Sequence, residues 1–334
     1  MKEKRKFLIA RIDRIGDTVL ATPIPRELKR SFPGCEVSVL VRSYTRDIFV
    51  GNPHVDNILV WDDFGRGLKK IMYLGHFLRG YRFTDIFMLL PNETLAYASV
   101  IAGIKRKFGT SRKPYHILTG TSTLTRGEDA SVNSEAAWCL EFVKAAGGSV
   151  TDDSTEIHLF EDEKKSVKGI RESLAPNGEK IIGVHITSGG SAPNMPPNEY
   201  LKLITLLSDK NDCKVVVTDN NLPDGVTLPD TIQMPNKGKN LREAILNFAA
   251  LDLLISSSTG TMHIAAALKA ETLSLFCPLP ACTPSLWGPV GNQARFILPE
   301  PNYCQTRCPG DPKKCDFSGP GGIDSSKILN KILN

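Results

Sequence analysis

The stretch FLIARIDRIGDTVLATPIPRELKRS, residues 7–31, decides the fold class. Six residues in the pattern of a buried strand lead into a short polar turn, and a helical stretch follows to about Ser31. The other half of the chain opens in the same way, with KIIGVHITSGGS at residues 180–191 and a helix from about Pro197 to Ser208. A buried strand that turns directly into a helix is typical of a Rossmann-like domain.

Strand and helix patterns alternate through the rest of both halves. Because the strand patterns are continuously apolar, they favour parallel sheets covered on both faces. We therefore predict an α/β chain with two Rossmann-like domains. The predicted strands cover residues 37–41, 57–61, 85–90, 214–218, 253–256 and 272–276, and the intervening helices cover 67–80, 93–102, 240–250 and 260–268.

The predicted domain boundary is a polar region between residues 150 and 178. It ends in the sequence APNG, which favours a turn. The predicted N-terminal domain spans residues 1–155 and the C-terminal domain spans 178–322. A short amphipathic helix is expected at 323–334.

The composition is that of a globular protein. The chain has 334 residues, of which 41% are hydrophobic and 23% charged, and this length predicts about two domains. Apolar runs such as residues 86–90 are far shorter than the roughly 18–20 residues of a membrane span. The basic N-terminus is followed by only four apolar residues, 7–10, which is too few for a signal peptide. We predict a cytoplasmic protein whose eight cysteines are thiols.

Charge is distributed unevenly along the chain. Residues 1–150 hold 23 Lys and Arg against 15 Asp and Glu, whereas residues 151–334 hold 18 against 21. An anionic partner of the first half explains this asymmetry, and chance explains it equally well. The basic run 105–107 has no accompanying aromatic ladder, so we do not expect nucleic-acid binding.

The turn after the first strand contains Gly16 and Asp17. Ligands of open α/β sheets bind where strands end, and glycine allows close approach of the backbone. Asp17 is therefore a candidate functional carboxylate, although an acidic residue at a helix start also satisfies free amides. The turn lacks the G-x-G-x-x-G pattern of dinucleotide-binding domains.

Two hydroxyl- and glycine-rich turns follow strands in the second half. The first begins with Thr187 and Ser188, and the second leads into a strong helix former. Such turns are potential phosphate sites, since backbone amides and the helix dipole both favour an anion. Two of them indicate a ligand with a diphosphate, although a flexible loop and a core histidine remain the alternatives. The residues of the second turn are Ser258, Thr259, Gly260, Thr261, Met262 and His263.

These motifs resemble glycosyltransferase family 9, the ADP-heptose:lipopolysaccharide heptosyltransferases. The matching blocks are residues 9–20 with Pro23, residues 188–200 and residues 256–268, and they continue to about residue 289. The resemblance implies a GT-B fold, with two Rossmann-like domains facing a central cleft. It also implies that the donor nucleotide binds the C-terminal domain and the acceptor binds the N-terminal domain.

The resemblance further implies roles for individual residues. Asp17 matches the general base of the family. Thr187 and Ser188 match its phosphate-binding positions, and Thr259, Gly260 and His263 match its donor-contacting block. Three positions depart from the pattern: Ser258 replaces an Asp, while Pro193 and Met195 stand where a basic residue and a Trp are common. The identity of the donor is therefore open, unless another basic residue supplies the missing charge.

We accordingly predict an inverting, metal-independent glycosyltransferase without a cofactor. The sugar is expected to be heptose from an ADP-linked donor, and the acceptor an anionic lipopolysaccharide-type glycolipid at the inner membrane surface. The expected acceptor contacts are Gly16, Arg106, Lys107 and Arg112. The alternatives are a non-catalytic nucleotide-sugar binding protein and a GT-B epimerase.

No metal site is predicted. The chain contains no Asp-x-Asp motif, which argues against a metal-dependent GT-A transferase. Cys304, Cys308 and Cys315 form a loose cluster, but structural zinc sites usually show paired short spacings and a fourth ligand.

Overall fold

The computed structural model describes residues 4–64, 67–126 and 134–333. The chain divides between His158 and Leu159 into two compact units. Each unit contains its own parallel β-sheet with helices connecting the strands. The two-sheet α/β architecture predicted from the sequence is confirmed.

The first unit contains a six-stranded sheet within its described residues, in the order β3-β2-β1-β4-β5-β6. From β1 the chain first adds β2 and β3 on one side of that strand, and it then crosses to the other side of β1 and adds β4, β5 and β6. The carboxyl ends of β1 and β4 therefore form the topological switch point, where open α/β sheets bind ligands. The elements are β1 (Lys6–Arg11), α1 (Ile15–Leu20), α2 (Pro23–Ser31), β2 (Glu36–Val41), β3 (Asn57–Val60), α3 (Gly67–Tyr81), β4 (Asp85–Met88), α4 (Glu93–Ile101), β5 (Arg106–Thr110), α5 (Pro114–Leu118), β6 (Ser122–Leu124) and α6 (Glu135–Ala145).

The core of this unit follows from its apolar strands. Residues 7–11 of β1 are all buried, and β1 pairs in parallel register with both β2 and β4. One face of the sheet packs against α3 and α4, with Leu8, Ile86 and Leu74 in the same hydrophobic cluster. The burial of this strand holds the turn that follows it in a fixed position at the edge of the sheet.

The second unit contains a five-stranded sheet within its described residues, in the order β11-β10-β9-β7-β8. Because β7 lies between β8 and β9, its carboxyl end marks the switch point of this sheet. The elements are α7 (Glu161–Leu174), β7 (Lys180–Val184), α8 (Pro197–Ser208), β8 (Cys213–Val217), α9 (Leu241–Ala249), β9 (Leu253–Ser257), α10 (Gly260–Ala267), β10 (Glu271–Leu275), α11 (Pro284–Trp287), β11 (Ala294–Ile297), α12 (Tyr303–Thr306) and α13 (Ser325–Leu333).

The structure differs from the sequence prediction where strands are not apolar. β5 has the sequence RKFGT and begins with two basic residues, so it carries no buried-strand pattern. β6 is three residues long, and only the last residue of β11 is buried. Helix α7 also belongs to the second unit rather than to a free linker, because Arg171 pairs with Asp252 at 3.0 Å.

No helix within the described ranges is long and apolar enough to cross a bilayer.

Candidate active site

The candidate site of the first unit is built around Arg11, the last residue of β1. Its guanidinium is 3% exposed and contacts three carboxylates. Nε lies 3.1 Å from Asp13 Oδ1, and Nη2 lies 2.8 Å from Asp17 Oδ1 and 3.1 Å from Glu135 Oε1. Nη1 donates a hydrogen bond to the carbonyl of Leu89, after β4. The buried Arg11 side chain thus contacts the turn after β1, the segment after β4 and the start of α6.

The cluster carries an excess of negative charge. Glu135 also pairs with Arg126, whose guanidinium lies 5.2 Å from the centre of the Trp138 ring. Three carboxylates therefore share two guanidinium groups. Burial raises the pKa of Asp13 to about 6; Arg11 opposes the rise and the neighbouring Asp17 adds to it. Such a carboxyl group exchanges its proton near neutral pH.

Asp17 does not cap the helix in which it lies. The N-cap of α1 is Arg14, and no described side chain caps this helix end. The contact that fixes the Asp17 carboxylate is the ion pair with Arg11, which uses Oδ1. Asp17 is therefore not the N-cap of α1; it lies in the first turn of the helix, as the alternative also allowed, beside a buried cation.

The basic residues predicted to bind the acceptor are not gathered at this edge. Arg106 is the first residue of β5 and pairs with Asp85, which stands level with Phe7 at the start of β1. Its Nε and Nη2 each lie 2.7 Å from an oxygen of Asp85. Lys107 donates to the carbonyl of Ile104 on the same side of the sheet. We correct the prediction accordingly and withdraw both residues from the acceptor set.

Arg112 is placed differently. It follows the last residue of β5, so it lies at the same carboxyl edge of the sheet as Gly16 and Asp17. The side chain is exposed. Arg112 and Gly16 therefore remain the predicted acceptor contacts.

Three polar turns meet at the carboxyl edge of the second sheet. Val184, the last residue of β7, pairs with Val217 of β8 and with Ile255 of β9. The turns that follow these three strands are therefore neighbours. Two of them are the predicted turns at residues 187–191 and 258–263, and the third begins with Thr218 and Asp219.

Asp219 organises the turn after β7. Its buried carboxylate accepts hydrogen bonds from the amide of Ile186 at 2.7 Å and from the amide and hydroxyl of Thr187 at 2.9 and 2.7 Å. Both donors of Thr187 are thus engaged within the protein. This corrects the prediction that Thr187 holds phosphate directly, and it leaves Ser188 and the glycines after it as the open part of the turn.

Sequence reasoning overlooked Asp219, although a signal was present. The residue comes directly after a predicted strand, the same criterion that selected the other two turns. Glu135 was also missed, because nothing local connects it with Arg11, which is 124 residues away in sequence.

Glycine gives the open turn its shape. Gly189 and Gly190 have φ values of +56° and +68°, in the left-handed region that side chains disfavour. An added Cβ at either position meets no atom within 4 Å. The glycines are therefore required by backbone conformation rather than by crowding.

The start of α10 offers free amides beside this turn. Thr259 is the N-cap, but no described side chain caps the helix, and the Thr259 hydroxyl instead contacts that of Thr261 at 2.8 Å. Uncapped amides at a helix start, next to a hydroxyl-rich turn, form an anion-binding arrangement. Ser258 is half-buried at the end of β9.

Two predicted donor contacts lie in the core instead. The Met262 side chain is fully buried, so we withdraw it as a donor contact. His263 is also buried, and burial lowers its pKa to about 4, which keeps the imidazole neutral. Its Nδ1 has no hydrogen-bond partner among the described residues. His263 therefore stays a candidate as a neutral donor or acceptor.

The two unusual residues in the second block serve packing. Met195 is 2% exposed and lies in the hydrophobic core of the second unit, and Pro193 is buried. The neighbouring Asn194 donates to the carbonyl of Ile186 and accepts from Tyr200, at 2.6 and 2.7 Å. The hydrogen bond from Asn194 therefore supports the turn after β7, whereas Pro193 and Met195 supply no cation.

The cysteines predicted as thiols are all free. Within the described ranges, no group of three or more His, Cys, Asp or Glu residues is placed to hold a metal ion. Cys315 is buried, whereas Cys304 and Cys308 are half-buried.

Two Rossmann-like units, each with a polar ligand edge at its switch point, are the architecture of the GT-B class of glycosyltransferases. The solved structure of Escherichia coli ADP-heptose lipopolysaccharide heptosyltransferase II has the same fold. It matches 98% of this chain and 97% of its own with a TM-score of 0.72, at 18% identity. The model of glycosyltransferase family 9 (heptosyltransferase) matches residues 152–313 of this chain.

Relatives identified by sequence agree with this family. A predicted glycosyltransferase of Haemophilus influenzae is 26% identical over 308 residues, which cover 87% of this chain and 88% of the relative. Lipopolysaccharide heptosyltransferase 2 of Escherichia coli is 22% identical over 320 residues, 90% of each chain. The resemblance predicted from the motifs is confirmed, and the family model and these relatives support a heptosyltransferase-like glycosyltransferase.

Proposed function

We propose that this chain is an inverting glycosyltransferase that moves a sugar, heptose by family, from an ADP-linked donor to a lipopolysaccharide-type glycolipid. The observation that carries the proposal is the meeting of three polar turns at the switch point of the second sheet. The acidic cluster at the switch point of the first sheet supports it. The three polar turns suit a diphosphate ligand, and the acidic cluster can supply a proton acceptor.

The donor diphosphate is assigned to the open turn after β7 and the start of α10. Asp219 engages both donors of Thr187, and the Ser188 carbonyl accepts from both the amide and the hydroxyl of Ser191. The donors assigned to the phosphates are therefore the amides of Ser188, Gly189 and Gly190, the Ser188 hydroxyl and the first amides of α10. Fixed backbone dipoles stabilise the negative charge that grows on the leaving diphosphate. They take the place of the cation that the family commonly carries at the position of Pro193.

Asp17 is assigned as the general base. The acceptor hydroxyl attacks the anomeric carbon, the bond from that carbon to the diphosphate oxygen breaks, and the hydroxyl proton passes to the Asp17 carboxylate. Attack opposite the leaving group inverts the anomeric configuration. Arg11 holds Oδ1 of Asp17 at 2.8 Å, which leaves Oδ2 for the hydroxyl.

Asp13 is the second candidate for the base. Its pKa of about 6 lies closer to the value that suits base catalysis near neutral pH. Its Oδ1 faces Arg11 Nε at 3.1 Å, which fits a role in holding Arg11 as well as a catalytic one.

Gly16 and Arg112 are assigned to the acceptor, whose anionic groups an exposed arginine attracts. Metal independence is proposed from the missing Asp-x-Asp motif and from the amides available to the diphosphate. We place the reaction on the cytoplasmic side of the inner membrane, where such an acceptor is accessible.

A panel of ADP-, GDP- and UDP-linked sugars tests the proposal. Calorimetry identifies the base that binds, and NMR of each donor after incubation without acceptor detects isomerisation. We expect a preference for ADP and an unchanged donor. An isomerised donor would assign the chain as an epimerase, and binding without transfer to any glycolipid would assign a non-catalytic binding protein.

A further inference from the structure

Glu135 is the member of the acidic cluster that lies farthest along the chain from the turn after β1. It is the first residue of α6, and the Ser134 hydroxyl caps this helix by accepting from the amide of Ala137 at 3.1 Å. Glu135 is only 6% exposed. Because a buried carboxylate is costly unless it is paired, its cationic partners are what stabilise it at this position.

Each carboxylate oxygen of Glu135 contacts a different guanidinium. Oε1 accepts from Nη2 of Arg11 at 3.1 Å, and Oε2 pairs with Nη2 of Arg126. The guanidinium carbon of Arg126 lies 5.2 Å from the centre of the Trp138 ring, which is on the same helix as Glu135. Glu135 therefore bridges the two cations of the cluster, and Trp138 helps to hold the outer one in place.

The same nitrogen of Arg11 serves both Glu135 and Asp17. Nη2 donates to Asp17 Oδ1 at 2.8 Å and to Glu135 Oε1 at 3.1 Å. The guanidinium is a planar and rigid group, so its donors keep a fixed geometry relative to one another. The bond to Glu135 therefore helps to fix the direction from which Arg11 holds Asp17.

Charge gives Glu135 a second influence on this cluster. Burial raises the pKa of Cys139 to about 11, so its thiol is neutral near pH 7, and burial likewise raises the pKa of Tyr44. A nearby negative charge disfavours ionisation of a carboxyl group, whereas a nearby positive charge favours it. Glu135 and Arg126 therefore act on the cluster with opposite sign. The charged and titratable groups around Asp17 are Arg11, Asp13, Arg14, Arg42, Tyr44, Arg126, Glu135 and Cys139.

We propose that Glu135 is a positioning residue for Asp17 and acts through Arg11. Glu135 orients the guanidinium that holds Asp17 Oδ1. Its negative charge, balanced by Arg126, also limits the net positive charge around the Asp17 carboxylate, which stays able to accept a proton. The inference rests on the assignment of Asp17 as the general base, and it adds that α6 sets the strength of that base.

Opposite shifts of a pH profile test this role. Glu135→Gln keeps an accepting oxygen but loses the charge, so the acidic limb of the kcat profile should move to lower pH by about 1 unit. Arg126→Gln loses a positive charge and should move the limb to higher pH by about as much. The double variant should return close to the unsubstituted profile, because it loses one charge of each sign.

Glu141→Gln is the matched control on the same helix. The side chain of Glu141 is 43% exposed and pairs with Lys144, so solvent screens its charge and the profile should not move. Thermal unfolding checks that every variant folds. Shifts of the same sign in Glu135→Gln and Arg126→Gln, or a shift in Glu135→Gln no larger than that of the control, would overturn the positioning role.

NMR of the carboxyl carbons separates this role from the proposed function, because it needs no substrate. In the folded chain, the titration of Asp17 should move to lower pH in Glu135→Gln and to higher pH in Arg126→Gln. The Asp17 resonance is identified by its loss in Asp17→Asn. If these shifts occur in a chain that transfers no sugar, the proposed function is contradicted and the electrostatic role of Glu135 is supported. If they are absent in a chain that does transfer sugar, the role of Glu135 alone is overturned.

Discussion

Arg11 determines the electrostatics of the first unit's candidate site. A buried guanidinium is stable only when carboxylates surround it, and here Asp13, Asp17 and Glu135 do so. Removing any one carboxylate leaves two partners in place. The site therefore tolerates single substitutions that isolate the chemical role of each acid.

Asp17→Asn should lower turnover by about 10²–10⁴-fold, because removal of a general base costs that much. Asn keeps the shape of the side chain, and Arg11 keeps Asp13 and Glu135 as partners, so melting temperature and donor affinity should change little. Steady-state kinetics, thermal unfolding and calorimetry measure the three quantities.

Asp13→Asn is the matched control and should lose much less turnover. If Asp13→Asn loses the more activity of the two variants, the base is Asp13. If Asp17→Asn keeps full turnover, the carboxylate of Asp17 serves only the ion pair.

Asp13 should also make stability depend on pH. Its pKa of about 6 in the folded chain lies above the ordinary value of 3.8, so the folded state binds the proton more tightly. The stability that the protonated form contributes is full below pH 3.8 and is lost as the pH rises through 6. Asp13→Asn, which keeps a neutral side chain at every pH, should therefore be more stable than the unsubstituted chain at pH 8, by about 1–3 kcal/mol, and similar at pH 4.

Urea unfolding at the two pH values measures this difference. Asp153→Asn, which removes an exposed carboxylate of the same unit, is measured alongside as the control. A loss of stability in Asp13→Asn at pH 8 would mean that its ion pair with Arg11 outweighs the burial of its charge.

Asp219 positions the turn after β7, which we propose as the donor turn. Asp219→Asn replaces one accepting oxygen by an NH₂ group that cannot accept from an amide, so the turn after β7 loses part of its support. We expect KM for the donor to rise about tenfold while kcat stays within about threefold, together with a loss of stability of about 1–3 kcal/mol. Asp224→Asn, an exposed change in the loop that follows, should leave KM unchanged. A fall in kcat without a change in KM would contradict a positioning role.

At the scale of elements, the proposed donor site depends on strand-to-helix turns with a fixed backbone. Sequence predicts these elements well where apolar strands alternate with helices, as in β1, β7 and β9. It misses β5, because its basic first residues obscure the pattern, and it misplaces Arg106 for the same reason. A basic run next to a helix gives no sign of which edge of the sheet it occupies.

The two glycines of the donor turn provide a test at this scale. Gly189→Ala with Gly190→Ala forces side chains into left-handed backbone, at a cost of roughly 1 kcal/mol each. The turn should relax and donor affinity should fall about tenfold, as measured by calorimetry.

Gly178→Ala is the matched control. Gly178 has a similar φ of +81° and equally open surroundings, but it precedes β7 at the opposite edge of the sheet. It should lose stability without losing donor affinity. Unchanged affinity in the double variant would exclude this turn from the donor site.

At the scale of the whole molecule, the two candidate sites lie in separate compact units. The sequence predicts both sheets, the polar turns at their strand ends and the resemblance to the family, since those follow from local patterns and ordered motifs. Contacts between residues distant in sequence, such as Arg11 with Glu135, carry no local signal. The contact of Thr187 with Asp219 is of the same kind: it joins residues 32 positions apart, so only the fold shows that both donors of Thr187 are engaged.

The most direct test of the account is the mass of a lipopolysaccharide-type glycolipid after incubation with the chain and ADP-heptose in the presence of EDTA. We predict a gain of one heptose residue per acceptor, with release of ADP, an inverted anomeric centre by NMR, and a rate that EDTA leaves unchanged. If the mass of the acceptor stays unchanged with every donor of the nucleotide panel, sugar transfer is contradicted. If EDTA abolishes the activity and a divalent cation restores it, the metal-independent mechanism is contradicted.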